Sequence, residues 1–474
     1  MTSPHVFSLK HVGQDFVLEA EEGDEKKTIS EDCVIDIFPP YSHQTHHQLV
    51  YASISDQAED EKIEKRTSLG VLAVTSVPED VLARYSARSQ WFLPSLMNDS
   101  QEDKHANMHI IISAKSGGEL AKHVYDSLLK PYLDAFGLKD NSDYQAHETT
   151  SAEFITEFTK DTILPRAQTG INQAIILLSG DGGVVDLING LLSEGPPSVK
   201  YVKPNLALLP LGTGNSLAHS SGVASDRTLG MSAIARGRAR PLPLYRAQLS
   251  SGSHQISGTE VVQDSEALKE DSSAEKGSLL VFGAVVFSYG FHASLVGYSD
   301  TPEYRKHGAE RFQMAAFKLL FPDDKSPPHA YRAKLSIRPA NSDSWREIPR
   351  DTHSYILATF NSKMEATFTI SPSSKPLDGH FRLIHFDEGG GEAIMDIMKA
   401  AYDGGKHVAD ERVSYEDIEA LKIDFDVDND EKDERWRRIC LDGKIFVVAR
   451  KGSVIVEKEA MSVVDFVTTV AVEE

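Results

Sequence analysis

The feature that most constrains this chain is a glycine-rich turn between an apolar strand and an amphipathic helix. The strand is predicted over 174–178, the turn reads Ser-Gly-Asp-Gly-Gly at 179–183, and the helix runs to about 192. Glycines lack side chains and let backbone N–H groups approach a phosphate, while the start of a helix adds partial positive charge. The arrangement is typical of phosphate binding. It is equally compatible with a tight strand-to-helix turn that binds nothing.

A second turn of the same kind follows a second strand. Residues 206–211 are predicted as a strand, and Gly-Thr-Gly-Asn at 212–215 leads into another helix. Because parallel strands end at one edge of a sheet, the two turns can present N–H groups to one ligand. Neither turn has the lysine of a Walker A loop, and Val185 and Leu217 replace the third glycine of a dinucleotide fingerprint.

Changes in the pattern of apolar and polar residues along the sequence predict three regions. Residues 1–100 alternate short β-rich runs with acidic stretches, which predicts a small N-terminal β-rich domain resembling a PH domain. Residues 106–245 alternate strands and helices, which predicts a Rossmann-like three-layer α/β lobe. Residues 246–465 show period-two alternation, which predicts an antiparallel β-sandwich lobe. A disordered insertion is expected at about 250–278, and two-residue hairpin turns at 442–443 and 451–452.

Composition limits the partners. The chain has 49 Lys and Arg against 71 Asp and Glu, which gives a net charge of −22. This charge argues against long-range attraction to nucleic acid or to an anionic bilayer. Cys33 and Cys440 are the two cysteines, which favours a reducing, cytoplasmic location. No apolar run reaches the roughly 20 residues of a membrane span, and no leader or lipid anchor is recognised, so transient, peripheral contact with intracellular membranes is expected.

No metal site is predicted. His43, His46 and His47 cluster without an acidic or cysteine partner at metal spacing, and surface histidines explain them better. The acidic run at 424–428 departs from a calcium loop, because Asn429 and Arg435 stand where Gly and Glu are required.

Several ordered motifs resemble the diacylglycerol kinase catalytic domain family of lipid kinases. They are Ser-Gly-Asp-Gly at 179–182 with Asp186 and Asn-Gly-Leu at 189–191, Leu-Pro-Leu-Gly-Thr-Gly-Asn at 209–215, Tyr-Gly-Phe at 289–291 and Leu-Asp-Gly at 441–443. Ser179 and the run at 304–312 make the chain most similar to the sphingosine kinase branch. The resemblance spans about 108–456.

The resemblance implies a two-lobe kinase that uses ATP and Mg²⁺ to phosphorylate a lipid hydroxyl at a membrane surface. The lobe at 106–245 would bind the nucleotide, and the lobe at 246–465 would bind the lipid. Asp181 would be the general base. The residues implied at the nucleotide are Ser116, Gly117, Ser179, Gly180, Gly182, Gly183, Asp186, Gly212, Thr213, Gly214, Asn215, Arg305, Arg311, Asp442 and Gly443. His292 and Ser294 would lie at the lipid. A helix at 311–321 is expected to gate an apolar pocket through Phe312 and Leu319, although such a stripe is usually core.

Five departures from the family pattern keep alternatives open. The family's Asn-Pro is missing before the turn at 116–118, and Gly183 stands where the family has a bulkier residue. Asp186 replaces a glutamate, and Lys444 replaces an acid after the terminal Asp-Gly. Ser294 stands where sphingosine-type enzymes carry an aspartate. A sphingoid long-chain base is the leading substrate. The alternatives are a diacylglycerol or ceramide kinase and a catalytically weak, lipid-binding regulatory protein.

Overall fold

Three large β-sheets carry the architecture. The computed structural model describes residues 5–40, 45–55, 61–86, 91, 107–114, 120–257, 260–261, 269–270, 277–308, 310–387, 389–425 and 433–469. The predicted fold class is confirmed: a β-rich N-terminal region precedes a three-layer α/β lobe and a lobe built from antiparallel strands.

The N-terminal sheet forms because apolar residues alternate along its strands, so that Phe7, Leu9, Phe16 and Leu18 all face one buried core. Its strands are β1 (Val6–Val12), β2 (Asp15–Ala20), β3 (Lys26–Ser30), β4 (Val34–Phe38), β5 (His47–Ile54) and β6 (Thr67–Thr75). They are ordered β3-β2-β1-β6-β5-β4. Two helices accompany them, α1 (Ile63–Arg66) and α2 (Glu79–Tyr85).

The second sheet lies between helices on both faces. Its strands include β7 (Met108–Ile112), β8 (Gln145–Glu148), β9 (Ala174–Ser179), β10 (Asn205–Pro210) and β11 (Arg238–Pro241). The strands β8, β7, β9 and β10 are parallel neighbours. Every residue of β7 and β9 is buried, as expected for strands covered on both sides.

Helices cover both faces of this sheet. They are α3 (Ala121–Val124), α4 (Lys130–Phe136), α5 (Phe154–Phe158), α6 (Leu164–Gln168), α7 (Asp181–Leu191), α8 (Ser216–Ser221) and α9 (Met231–Arg236). A π-helical segment joins α3 to α4 (Tyr125–Leu129), and another joins α5 to α6 (Thr159–Ile163). Ile175 and Leu177 pack with α5 and α7, whereas Ile176 and Leu178 pack with α3, α4 and α9.

The third sheet is antiparallel throughout its described pairs. Its strands, with the short β18–β21 ribbon, are β12 (Tyr245–Leu249), β13 (His254–Ser257), β14 (Glu260–Val261), β15 (Lys269–Glu270), β16 (Leu279–Gly283), β17 (Val286–Gly290), β18 (Tyr331–Arg332), β19 (Lys334–Pro339), β20 (Arg346–Glu347), β21 (Thr352–His353), β22 (Tyr355–Thr359), β23 (Phe381–Phe386), β24 (Val413–Asp424), β25 (Arg438–Leu441), β26 (Lys444–Val447) and β27 (Ser453–Lys458).

The long strand β24 connects two layers of this sheet. Its first half pairs with β23, and residues 420–424 pair with β27 and β19. The sheet therefore folds over along β24 in the manner of a sandwich. Four helices accompany it: α10 (Phe291–Ser299), α11 (Pro302–Arg305), α12 (Glu310–Leu320) and α13 (Gly391–Tyr402).

Two expectations about this lobe need correction, and one further strand was not predicted. Part of the predicted disordered insertion is ordered, because β13 pairs with β26. The turn at 451–452 does not join paired strands, because β26 pairs with β25 whereas β27 pairs with β12 and β24. The last strand, β28 (Asp465–Thr468), returns to the second sheet between β10 and β11. Each depends on pairing between distant residues, which local sequence patterns do not encode.

The N-terminal sheet shares a core with the second sheet. Ile35, Phe38 and Val50 lie in one buried cluster with Met108 and Ile110. Around this cluster, the guanidinium of Arg236 at the end of α9 donates to the carbonyls of Val34 and Ile35 and stacks on the ring of Tyr85. The N-terminal strands are thus attached to the α/β lobe by packing as well as by the chain.

Candidate active site

The two glycine turns meet at the carboxyl ends of β9 and β10, which are paired in register from Ala174 to Ser179. A Cβ atom on Gly180 would lie 2.8 Å from the Cα atom of Gly212, and one on Gly212 would lie 2.6 Å from the Cα atom of Gly180. These distances are too short for any side chain. The prediction that both turns border one site agrees with this contact, and glycine is required at both positions by mutual packing.

Asp181 is the first residue of α7, and its carboxylate reaches across to the second turn. Oδ2 accepts a hydrogen bond from the backbone N–H of Ser216 at 2.7 Å, and Oδ1 accepts one from Leu217 at 3.1 Å. Burial raises the pKa of Asp181 to about 6 against the effect of these two donors, and the charge of Asp442 adds to the increase. A carboxylate with such a pKa is suited to accept a proton near neutral pH.

The first turn has a packed side and an open side. Ser179 is buried at the end of β9, and a Cβ atom on Gly183 would lie 2.5 Å from its Oγ. The glycine at 183 is therefore explained by contact with Ser179. Gly182 has no heavy atom within 4 Å of a Cβ position, and Thr213 in the other turn is exposed. The open side, at Gly182 and Thr213, is where a ligand could approach the backbone.

Asn215 supports the second turn from inside. It adopts a left-handed backbone conformation with φ of 53°, and its Oδ1 accepts a hydrogen bond from the N–H of Gly212 at 2.8 Å. Its amide group donates to the carbonyls of Pro210 and Gly212. These contacts assign its side chain to the turn itself. A Cβ atom on Gly214 would lie 3.3 Å from the carbonyl of Met364, so the third sheet also borders this turn.

The segment after β22 completes the site and was missed in the sequence. The Oγ of Ser216 donates to the carbonyl of Lys363 at 2.5 Å, and the amide of Asn361 donates to that Oγ at 3.2 Å. Ser220 exchanges two hydrogen bonds with the backbone of Lys363. The available signal was a polar Asn-Ser-Lys run directly after a buried strand, but nothing local links it to residues near 216.

Lys444 and Asp186 meet between the lobes. The Nζ of Lys444, at the start of β26, lies 2.6 Å from Oδ1 of Asp186 on α7. Two of the positions that depart from the family pattern thus form an ion pair with each other. The carboxylate of Asp186 is already opposite a cation, which limits what it can offer a metal ion.

Asp442 is held by the protein on both oxygens. Its carboxylate accepts hydrogen bonds from the N–H groups of Ala284, Val285 and Val286 and from the hydroxyl of Tyr245. Burial raises the pKa of Asp442 to about 6 despite these donors. Asp442 and Gly443 have φ of 49° and 87°, as in the tight hairpin turn predicted there. The contacts of Asp442 are those of a structural anchor.

Arg305 is the last residue of α11, and Arg311 lies in the first turn of α12. Arg305 forms a bidentate ion pair with Asp300, at 3.0 and 2.7 Å. The guanidinium of Arg311 stacks on the ring of Phe312, and burial lowers its pKa. Asp300 and Arg305 are the charged groups that act on Arg311. Arg305 is therefore paired with Asp300 and Arg311 lies on Phe312, and contact of either arginine with phosphate stays a prediction.

His292 and Ser294 lie on α10, on the third sheet. The Nδ1 of His292 is 2.7 Å from the Oγ of Ser288, and burial lowers the pKa of His292 to about 4. The ring is thus neutral at physiological pH. The buried Oγ of Ser294 accepts a hydrogen bond from the hydroxyl of Tyr331 at 2.9 Å.

The helix α12 presents its predicted apolar stripe to the protein. Ala315 is buried, Phe312 is partly buried, and Leu319 packs against the large core between the lobes. Met314 and Phe317 point the other way and are 42% and 61% exposed. These contacts agree with the core interpretation of the stripe, and a gating role for Phe312 and Leu319 stays a prediction.

The remaining predictions concern the turn at 116–117, a metal site and a membrane span. Ser116 and Gly117 lie outside the described residues. Within them, no three His, Cys, Asp or Glu side chains come together as a metal site would require. None of the helices in the same ranges has the length and apolar composition needed to cross a bilayer.

Comparisons with known proteins agree with the family resemblance. Residues 107–247 match the model of the diacylglycerol kinase catalytic domain. "Sphingosine kinase B" of Dictyostelium discoideum is 30% identical over 171 residues, which cover 36% of this chain and 20% of that protein. "Sphingosine kinase 1" of Arabidopsis thaliana is 24% identical over 374 residues, which cover 74% of this chain and 71% of that protein.

Among solved structures, a diacylglycerol kinase from Bacillus anthracis str. Sterne is similar with a TM-score of 0.45 and 14% identity, over 76% of this chain and 96% of that chain. The family match coincides with the α/β lobe that carries both glycine turns and Asp181. Residues 107–247 are therefore similar to the catalytic domain of a family of lipid kinases.

Proposed function

We propose that this protein transfers the γ-phosphoryl group of ATP to the hydroxyl of a sphingoid long-chain base, with Asp181 as the general base. The observation that carries the proposal is the position of the Asp181 carboxylate, between two mutually packed glycine turns and beside the open backbone at Gly182. The relatives named sphingosine kinase support the choice of substrate class.

The chemistry needs a base and a phosphate cradle. The lipid hydroxyl oxygen would attack the γ-phosphorus as its proton passes to Asp181 and the bond to the departing ADP oxygen breaks. A carboxylate has about four acceptor positions, so the two backbone donors leave room for that proton. A positioned base of this kind contributes about 10² to 10⁴ in rate. Backbone N–H groups of the two turns would hold the phosphates.

Mg²⁺ fits this site only as an ion carried by the nucleotide. Such ions are usually held by substrate phosphates with one or two carboxylates. Asp186 is the carboxylate that would hold it, and Asp186 already faces Lys444. When bound, the ion would neutralise charge on the phosphates, and Lys444 would add a fixed cation beside them.

Two observations favour other candidates. The Oγ of Ser294 is occupied by Tyr331 and the helix α10 carries no acid that could hold a lipid amine, which favours ceramide or diacylglycerol as substrate. The ion pair of Lys444 with Asp186 favours a catalytically weak, lipid-binding protein.

A lipid panel separates these candidates. Purified protein would be incubated with labelled ATP, Mg²⁺ and, separately, sphingoid bases, ceramide and diacylglycerol. The proposal expects labelled product with the sphingoid base at the highest kcat/KM. Product with another lipid would reassign the substrate. A folded protein that phosphorylates none of them, and still binds the lipid, would support the binding protein.

A further inference from the structure

The segment after β22, at residues 361–363, contacts two serines of α8 beside the site. Ser216 and Ser220 are 3% and 7% exposed, and both hydroxyls bond to the backbone of Lys363. The buried amide of Asn361 donates to Ser216 as well. Because the backbone N–H of Ser216 donates to Asp181, one residue receives contacts from both lobes.

The third-sheet side of this connection is itself fixed. The N–H of Asn361 donates to Oγ1 of Thr359 at 2.9 Å, and that hydroxyl donates to the carbonyl of Val285 at 2.6 Å. Thr359 is the last residue of β22, and it is fully buried. The amide of Asn361 is therefore held at a defined position, and it can orient the group to which it donates.

We infer that Asn361 and the hydroxyl of Ser216 are positioning residues, which hold the backbone donors of α8 in line with the Asp181 carboxylate across the lobe interface. The inference rests on the proposed function and adds to it a dependence of the general base on the third sheet. Neither side chain needs to touch a substrate for this role.

Charged groups around the carboxylate define what a pH measurement would report. The negative charge of Asp442, in the hairpin between β25 and β26, raises the pKa of Asp181. Asp186 lies farther along α7 and is paired with Lys444. Burial lowers the pKa of His219 on α8; the charge of Lys363 lowers it further, and the charge of Glu365 raises it. Substitution of Ser216 or Asn361 by alanine leaves all of these charges in place.

The test compares Ser216→Ala and Asn361→Ala with wild type. Loss of either contact frees the donors to move from Asp181, which destabilises its ionised form. We expect kcat to fall about tenfold, a part of the contribution of a positioned base. The KM for ATP should stay within about twofold. The acid limb of the pH profile should move up by about 0.5–1 pH unit. Ser216→Thr keeps the hydroxyl and should restore kcat.

Ser221→Ala is the matched control. Ser221 is buried on the same helix, but its hydroxyl bonds at 3.5 Å to Ala218, within α8. It should leave the kcat and the acid limb unchanged. Equal effects of Ser216→Ala and Ser221→Ala would overturn the inference, because they would reflect general loosening of the helix.

A direct titration separates this inference from the proposed function. The carboxyl carbon of Asp181, assigned with Asp181→Asn, would be followed by NMR in protein with labelled aspartate. A raised pKa in Ser216→Ala or Asn361→Ala supports the inference even if no lipid is phosphorylated. An unchanged pKa in both folded variants contradicts it, whatever the activity.

Discussion

Asp181 is partly buried and Asp442 is buried. Their carboxylates differ in how many hydrogen-bond donors engage them. Asp181 accepts two backbone hydrogen bonds and stands beside the open side of the turns. Asp442 accepts hydrogen bonds from three backbone N–H groups and a tyrosine hydroxyl. A residue whose oxygens are all engaged by donors is expected to serve stability rather than ligand binding.

Asp442→Asn should therefore destabilise the protein. The new amide would place an N–H group against backbone donors, and buried donors would lose their acceptor. We expect the free energy of unfolding to fall by about 2–4 kcal/mol in urea denaturation. The affinity of the folded variant for ATP should stay near wild type. A large loss of ATP affinity at unchanged stability would return Asp442 to the nucleotide site.

At the level of the elements, the two glycine turns provide a matched pair of substitutions. Gly180→Ala places a Cβ atom 2.8 Å from the backbone of Gly212, so the turns must separate, and stability should fall by about 1–3 kcal/mol. Gly182→Ala meets nothing within 4 Å and sits in a helix, where alanine is favoured by about 1 kcal/mol.

These two variants separate packing from binding. Gly182→Ala should fold at least as stably as wild type and bind ATP more weakly, because its methyl group occupies the space where a phosphate would approach. Urea denaturation and ATP titration measure the two effects. If Gly182→Ala bound ATP as tightly as wild type, the open side would not be the phosphate site.

The ion pair between α7 and β26 provides a second test at this scale. Lys444→Met leaves the carboxylate of Asp186 without its cation, and repulsion should weaken ATP binding by about tenfold. Asp186→Asn in the same background removes the repulsion and should restore most of the affinity. Lys458→Met, which loses a peripheral contact with Glu419, is the control. Purely additive effects in this cycle would show that the pair does not face the nucleotide.

The elements around the site were largely predictable because their signals are local. The strand at 174–178 and the helix after it are present, although the helix begins at Asp181. Glycines at the strand ends and the chain order of motifs identified the turns. The role of Asn361, the pairing of Lys444 with Asp186 and the return of β28 to the second sheet all join residues far apart in sequence. Such contacts produce no periodic pattern in the sequence.

At the scale of the whole molecule, the N-terminal strands and the α/β lobe share one core. Phe38 is fully buried and packs its ring against Tyr132 and Phe136 of α4. Phe16 is equally buried but lies in the separate core of the N-terminal sheet. The shared core predicts that these two regions unfold together.

Calorimetry of two variants tests this coupling. Phe38→Ala should lower the stability by about 3–5 kcal/mol, and Phe16→Ala by a similar amount. Both should shift one joint transition of the N-terminal sheet and the α/β lobe. A separate early transition that moves only in Phe16→Ala would show that the N-terminal sheet unfolds independently.

The dependence of phosphoryl transfer on pH, with and without Asp181, tests the central claim most directly. The raised pKa of about 6 means that the carboxylate is ionised above this pH and protonated below it, so kcat should fall as pH decreases through 6. Above pH 6, Asp181→Asn should lose at least about 10²-fold in kcat, with ATP affinity retained. An Asn variant with near wild-type kcat, or a wild-type profile without that acid limb, would contradict the assignment of Asp181 as the general base.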